Sequence, residues 1–258
     1  FRLRVTTMKW PDELIFIPNS RMAQKTTPIR MDGRVCVITG ATSGVGYHAA
    51  KRLAEGGARL VLVCRNAEKA ARVKDELECE HQTCVRILQA DFSRLAEVRK
   101  AARTILEEYP HIDVLINNAG IHMTRRTLTD DGIETVFCVN HLASFLFTRL
   151  LLPRILESAP ARIIQVNSQG HRFGGLDLDD LNWEKRRYRG LQGYGADGVS
   201  KAEIGGPHPL CQRQDQVPDR SGRVIAHRHA EPDEFGHQLG VMCDGRGDQF
   251  ILAAGKVV

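Results

Sequence analysis

Two stretches of this 258-residue chain carry side chains that could do chemistry together. In "GLQGYGADGVSKAEIGGPHP" (190–209), Tyr194 stands seven residues before Lys201. A free phenol titrates near ~10, too high for easy proton exchange at neutral pH. A neighbouring ammonium favours the phenolate and lowers that value, so a tyrosine and a lysine on one helix face make a proton donor and acceptor. The second stretch, "TGATSGVG" (39–46), lies between a β-branched run and an alanine-rich helical one. Gly40 permits a tight turn there, Gly44 lets the backbone approach a phosphate, and Gly46 lets helix and strand pack closely. The helix N-terminus would face a pyrophosphate with free N–H groups. No lysine follows the last glycine, which excludes a P-loop.

The elements that must hold these groups follow from periodicity. Short apolar runs predict strands at Arg34–Thr39, Arg59–Cys64, Cys84–Gln89, Asp113–Ile116 and Ala161–Asn167. Helical spacing predicts helices over Tyr47–Glu55, Ala67–Cys79, a stretch after Ser93 as its cap, and Gly132–Leu152. Apolar strands alternating with helices imply an α/β domain: a doubly wound, Rossmann-like parallel sheet covered on both faces. At the end of the second strand an acidic residue would hold the ribose 2′-hydroxyl of NAD. This chain has Cys64-Arg65-Asn66 instead. Arg65 could pair with a 2′-phosphate, so NADP(H) is expected over NAD(H).

Thr39-Gly40-x-x-x-Gly44-x-Gly46, Asp91, Asn117-Asn118-Ala119-Gly120, Asn140, Ser168 and Tyr194 together resemble the classical short-chain dehydrogenase/reductase pattern. "CRN", "VNHLASFLFTRLLLP" and "DLDDLNWEKRRYRGLQGYG" are most similar to retinol-dehydrogenase-like members, and the resemblance covers residues 32–196. It implies an oxidoreductase acting on a small alcohol/carbonyl substrate of apolar character, and a homo-oligomer. Gly40, Thr42, Ser43, Gly44, Val45 and Gly46, with Arg65 and Asn66, would hold the cofactor. Asp91, followed by Phe92, would contact its adenine. Asn117, Asn118, Ala119 and Gly120 would together support the central strand and line the nicotinamide side. Asn140 would organise a water and a proton path. Ser168 would donate a hydrogen bond to the substrate oxygen. Tyr194, with Lys201 as its partner, would exchange the proton as hydride moves. Asn167 stands where a serine is frequent, and Ala143-Ser144 where relatives often carry Gly-His.

The family pairs its tyrosine with a lysine four residues later, and here that position is Gly198. On a helix, i+4 and i+7 share a face, yet they rise about 6 Å and about 10.5 Å at ~1.5 Å per residue. Gly195, Asp197 and Gly198 form helix poorly, and Gly205-Gly206-Pro207-His208-Pro209 would end it early. That shortens the helix on which the family's oligomers pack. Three readings stay open: a three-residue insertion after Ala196, an altered natural tail, or a change of reading frame after "YGA". The loss of period and the glycine-, arginine- and histidine-rich composition favour the third. The expected organisation is an arm or leader over 1–30, a dinucleotide-binding domain over 31–196, and an atypical tail over 197–258. Within the tail only "RVIAH" (223–227) and "FILAAGKVV" (250–258) look strand-like.

Whole-chain properties exclude other classes. Net charge is +5, and the densest basic run, Lys185-Arg186-Arg187-Tyr188-Arg189, reads as a solvated loop and not a nucleic-acid stripe. Seven cysteines, an odd number without a CxxC pair, fit a reducing compartment, so a cytoplasmic location is expected. No metal-ligand spacing occurs. The apolar run from Phe145 to Leu156 is interrupted by Arg149, Pro153 and Arg154, and no membrane span is expected from it. No signal-peptide pattern opens the chain. Its first residue is Phe1, and Met22 and Met31 read as candidate starts.

Overall fold

The computed structural model describes residues 28–168, 177–188, 241–243 and 249–257. Strand alternation builds two cores. In β1 (Val35–Thr39), Val35 and Val37 face one layer while Cys36 and Ile38 face the other. β2 (Arg59–Cys64) repeats the pattern, with Val61 and Val63 on one side and Leu60 and Leu62 on the other. With β3 (Val85–Gln89), β4 (Val114–Asn117) and β5 (Ala161–Ser168) these strands run parallel in the order β3-β2-β1-β4-β5.

Helices α1 (Gly44–Glu55) and α2 (Ala67–His81) cover the Cys36/Ile38 face through Ala50, Ala54, Ala70, Val73 and Leu77. Helices α3 (Leu95–Glu108) and α4 (Thr135–Glu157) cover the opposite face through Val98, Ile105, Phe147, Leu151 and Ile155. The doubly wound architecture is therefore as expected. The chain leaves β1 for β2 on one side and returns to β4 on the other. That reversal opens a crevice at the carboxyl ends of the strands.

Three local expectations change. The sheet is parallel only as far as β5. Its far edge is β7 (Gln249–Val257), antiparallel to β5 along the full ladder from Ala161↔Val257 to Ser168↔Phe250, with β6 (Val241–Cys243) antiparallel beyond it. The strand reading of "FILAAGKVV" thus corresponds to β7, whereas "RVIAH" lies outside the described residues. Ser93 does not cap α3. The cap position is Arg94, and Ser93 instead gives both its N–H and its hydroxyl to Asp91 Oδ1, at 2.9 and 2.8 Å.

Third, α4 is longer than its apolar run suggested. It runs for 23 residues and contains an 18-residue window of mean hydropathy 1.5, long and apolar enough to cross a membrane. In the fold, 56% of that apolar window is buried, with Phe147 and Leu151 wholly enclosed against the sheet. A π-helical turn, Cys138–Leu142, interrupts α4 near its start. Such a turn inserts one residue into the helical repeat and redirects the side chains within it.

Candidate functional site

A cavity of about 560 Å³ occupies the crevice. The carboxyl ends of β1, β2, β3, β4 and β5 all contribute to it, through Gly40, Cys64, Ala90, Asn118 and Asn167. Of the predicted cofactor residues, Gly40, Thr42, Ser43, Gly44, Val45, Arg65, Asn66, Asp91, Phe92, Asn118, Ala119 and Gly120 line it, and so does Asn140. Gly46 does not line the wall but fixes its geometry: a Cβ there would meet the Gly40 carbonyl at 2.5 Å and the Asn118 carboxamide. Gly40 and Gly44 adopt φ of 70° and 58°, a region that favours glycine.

The turn after β1 is bolted to the turn after β4. Thr39 Oγ1 accepts from the backbone N–H of Asn118 and Ala119, at 3.0 and 2.9 Å. The Asn118 carboxamide returns two bonds, to the carbonyls of Thr39 and Gly40 at 3.0 and 2.9 Å. Both turns are thereby held as one rigid wall.

The cations stand at one end. Arg65 follows β2, and Lys69 lies in the first turn of α2, whose cap Asn66 accepts from the Lys69 N–H at 2.8 Å. No carboxylate stands at the end of β2. Cys64 also lines the wall, and burial pushes its thiol up, which keeps it protonated and inert. Asp91 is held in place, because its N–H donates to Glu97 Oε2 at 2.7 Å while Oδ1 receives Ser93. Lys69, Ile121 and His122 are lining residues the sequence reading missed. For Lys69 a signal existed: it falls one helical turn after Arg65 in a capped helix.

At the other end, Asn140 sits in the π-helical turn, buried. Its Oδ1 accepts from the Ile121 N–H at 2.8 Å and its Nδ2 donates to the Ile121 carbonyl at 2.9 Å. The carboxamide is thus engaged with the cavity rim. Asn117 ends β4 and donates from its carboxamide to Thr148 Oγ1 on α4 at 2.7 Å. Ser168 closes β5 beside Asn167, a cavity-lining residue. Tyr194, Gly198 and Lys201 lie outside the described residues.

The pattern of the short chain dehydrogenases matches residues 34–176. The chain belongs to the short-chain dehydrogenase family. Retinol dehydrogenase 13 of Homo sapiens is 40% identical over 165 residues, which are 63% of this chain and 49% of that protein. A solved protein from Mycobacterium Paratuberculosis aligns with a TM-score of 0.64 at 32% identity, covering 74% of this chain and 67% of that one. The Pseudomonas aeruginosa RhlG/NADP active-site complex aligns with a TM-score of 0.54 at 26% identity, covering 69% of this chain and 65% of that one. This short-chain dehydrogenase spans about half the length of the curated relatives it matches. The likeness to retinol-dehydrogenase-like members is borne out.

Proposed function

We propose that this short-chain dehydrogenase is an NADP(H)-dependent oxidoreductase that moves hydride between the nicotinamide and an apolar alcohol/carbonyl substrate. One observation carries the reading: Arg65 and Lys69 line the cavity beyond β2, where the adenosine ribose of a dinucleotide lies in this fold, and no carboxylate stands there. Two cations favour a 2′-phosphate over a bare hydroxyl. The solved RhlG relative, a complex with NADP, supports the same choice. A relative named for retinol, an apolar alcohol, supports the substrate class.

The residues present fit a dinucleotide. Gly44 has open space where a Cβ would stand, and the first turn of α1 carries no acidic residue. Ser43 makes no side-chain cap bond, so its hydroxyl can serve a phosphate. When bound, the nicotinamide supplies or accepts the hydride. The chain's part is then proton handling and orientation. Ser168 donates to the substrate oxygen, and Tyr194 gives it a proton or takes one back. A lysine ammonium beside Tyr194 stabilises the phenolate, and Lys201 is the candidate for that place. Asn140 holds the Ile121 backbone and so shapes the rim on which a water could join the proton path.

A second reading is a catalytically impaired NADP(H)-binding member. It is favoured by Gly198, which stands four residues after Tyr194 in place of the family's lysine. Titration with NADPH and NADH by calorimetry, then loss of NADPH absorbance with apolar aldehydes and ketones, tests both. Tighter NADPH binding with turnover abolished by Tyr194→Phe is the expected result. Tight binding without turnover overturns hydride transfer in favour of the impaired member. Stronger NADH binding overturns the cofactor assignment.

A further inference from the structure

We propose that the surface groove between α3 and α4 is a binding site for a medium-chain carboxylate, the anion of a free fatty acid. The proposal does not depend on the cofactor reading. The groove shares no described residue with the cavity of about 560 Å³.

Helix geometry makes the groove. Residues three and four apart lie on one helix face, so Arg99, Ala102, Arg103 and Leu106 form a stripe along α3. Leu150 of α4 closes it from the other side, and these five residues line a space of about 270 Å³. Ala102 is buried at the bottom, where its single methyl group keeps the floor low. Leu106 and Leu150 are half-buried and pack against the core. The floor therefore offers only hydrocarbon.

The charge sits at the rim. Arg99 and Arg103 stand one helical turn apart, and both are exposed. Nearby arginines are committed: Arg86 pairs with Glu108, Arg94 with Glu97 and Asp130, and Arg154 with Glu157. Among the described residues no carboxylate pairs with Arg99 or Arg103, although Glu107 lies one turn beyond Arg103. Lys100 and Arg149, the sequence neighbours of Arg99 and Leu150, are exposed cations too.

An apolar floor under two uncommitted guanidinium groups selects an amphiphile with one anionic end. Guanidinium matches a carboxylate with two parallel hydrogen bonds. The tail gains by leaving water in proportion to the area it buries. Size excludes larger occupants. Drug-sized ligands take about 300–1,000 Å³, so this groove holds one acyl chain. A docked helix needs a row of apolar anchors over two turns, which five residues do not supply. A second copy of the chain, meeting this face about a two-fold axis, would set arginine against arginine. A nucleic-acid strand would find cations but, in the described lining, no aromatic ring on which to stack a base.

Calorimetric titration of the full chain with decanoate, kept below its micelle concentration, tests the site. Decanoate should bind. Decanol lacks the charge and acetate lacks the tail, so each should bind about 10-fold more weakly or worse. Arg99→Gln with Arg103→Gln keeps much of both stems and removes both charges at exposed positions. That double variant should melt as wild type does, bind decanoate about 10-fold more weakly or worse, and bind decanol as before. Arg65→Ser with Lys69→Ser, at the other cavity, should leave decanoate affinity as in wild type. Absence of decanoate binding overturns the proposal. Undiminished binding by the glutamine variant, or a loss with the serine variant instead, places the acid elsewhere and overturns it too. Decanol bound as tightly as decanoate overturns the assignment of an anion. Recruitment to vesicles of anionic phospholipid without binding of monomeric decanoate would replace the free acid by a membrane surface.

Discussion

Thr39 and Asn118 bond each other in both directions, joining the turns that follow the neighbouring strands β1 and β4. The Thr39 hydroxyl accepts the Asn118 N–H at 3.0 Å, and the Asn118 carboxamide donates to the Thr39 carbonyl at 3.0 Å. Thr39→Val keeps the shape of the side chain but leaves the N–H groups of Asn118 and Ala119 without their acceptor. Each group left unpaired costs about 1–3 kcal/mol. Urea unfolding should show a loss of about 2 kcal/mol or more, and NADPH affinity should fall with it. Unchanged stability would mean that other groups satisfy the two donors.

Gly44 and Gly46 separate binding from packing. An alanine at Gly46 presses into the Gly40 carbonyl and the Asn118 carboxamide, an overpacking that costs about 1–3 kcal/mol. Gly46→Ala should lower the melting temperature and cofactor affinity together. At Gly44 nothing stands within 4 Å, so alanine there meets only the left-handed backbone, at about 1–2 kcal/mol, and projects into open space. Gly44→Ala should therefore weaken NADPH binding more than it weakens the fold. Equal loss of stability in both variants would contradict this division.

Arg65 and Lys69 should decide the choice of nucleotide. Hydrogen bonds to charged groups contribute about 1.5–3 kcal/mol, so Arg65→Ser with Lys69→Ser should weaken NADPH binding by about 10-fold or more. NADH should be nearly unaffected. The preference should also shrink as salt rises, since the screening length at 0.1 M is about 10 Å. Parallel loss of both nucleotides would show that the two cations hold something other than the 2′-phosphate.

Glu134 gives a pH dependence of definite sign. Its side chain is fully buried where it caps α4, and Oε2 accepts the Phe137 N–H at 2.7 Å. Burial pushes its carboxyl above the ordinary value of 4.5, against the opposing pull of the Phe137 and Val136 N–H groups, Tyr188 and Arg126. The folded state then holds this proton more tightly than the unfolded state. Stability contributed by the protonated form is present below 4.5 and is lost as pH rises from there through the folded pKa. Glu134→Gln keeps a cap acceptor without the titration. In urea unfolding at stepped pH, the difference between wild type and variant should move in the variant's favour as pH rises. A constant difference would remove Glu134 as the cause.

Particular residues show what was legible in the sequence. Val35 to Thr39 and Leu60 to Cys64 are β-branched or apolar throughout, so local composition alone announces buried strands. The glycines of the first turn were legible because each meets a backbone demand that no other residue meets as easily. The π-helical turn at Cys138–Leu142 was hidden, because one inserted residue leaves the apolar spacing of α4 almost intact. The antiparallel sense of β7 was hidden too: an apolar run carries no direction, and direction depends on partners far along the chain. Ser93 looked like a cap, yet Asp91 competes for the same hydroxyl. The role of the Thr39 hydroxyl was hidden because it acts across the fold, on the N–H groups of Asn118 and Ala119, whose proximity only the sheet order creates.

Gly198 tests whether the proton chemistry of this chain is complete. A lysine four residues after Tyr194 stands about 6 Å further along a helix at ~1.5 Å per residue, close enough for its ammonium to favour the phenolate. Lys201 would stand about 10.5 Å along at the same rise. A well-placed general acid contributes about 100-fold to 10,000-fold in rate. If Lys201 is too distant to serve, Gly198→Lys should raise NADPH-dependent turnover by about 10-fold or more, and Lys201→Ala should change little. Adding Tyr194→Phe to Gly198→Lys should erase the gain, which ties it to the phenol and not to helix propensity. The opposite pattern, with Lys201→Ala abolishing turnover and Gly198→Lys inert, would establish Lys201 as the working partner and end the impaired-member reading.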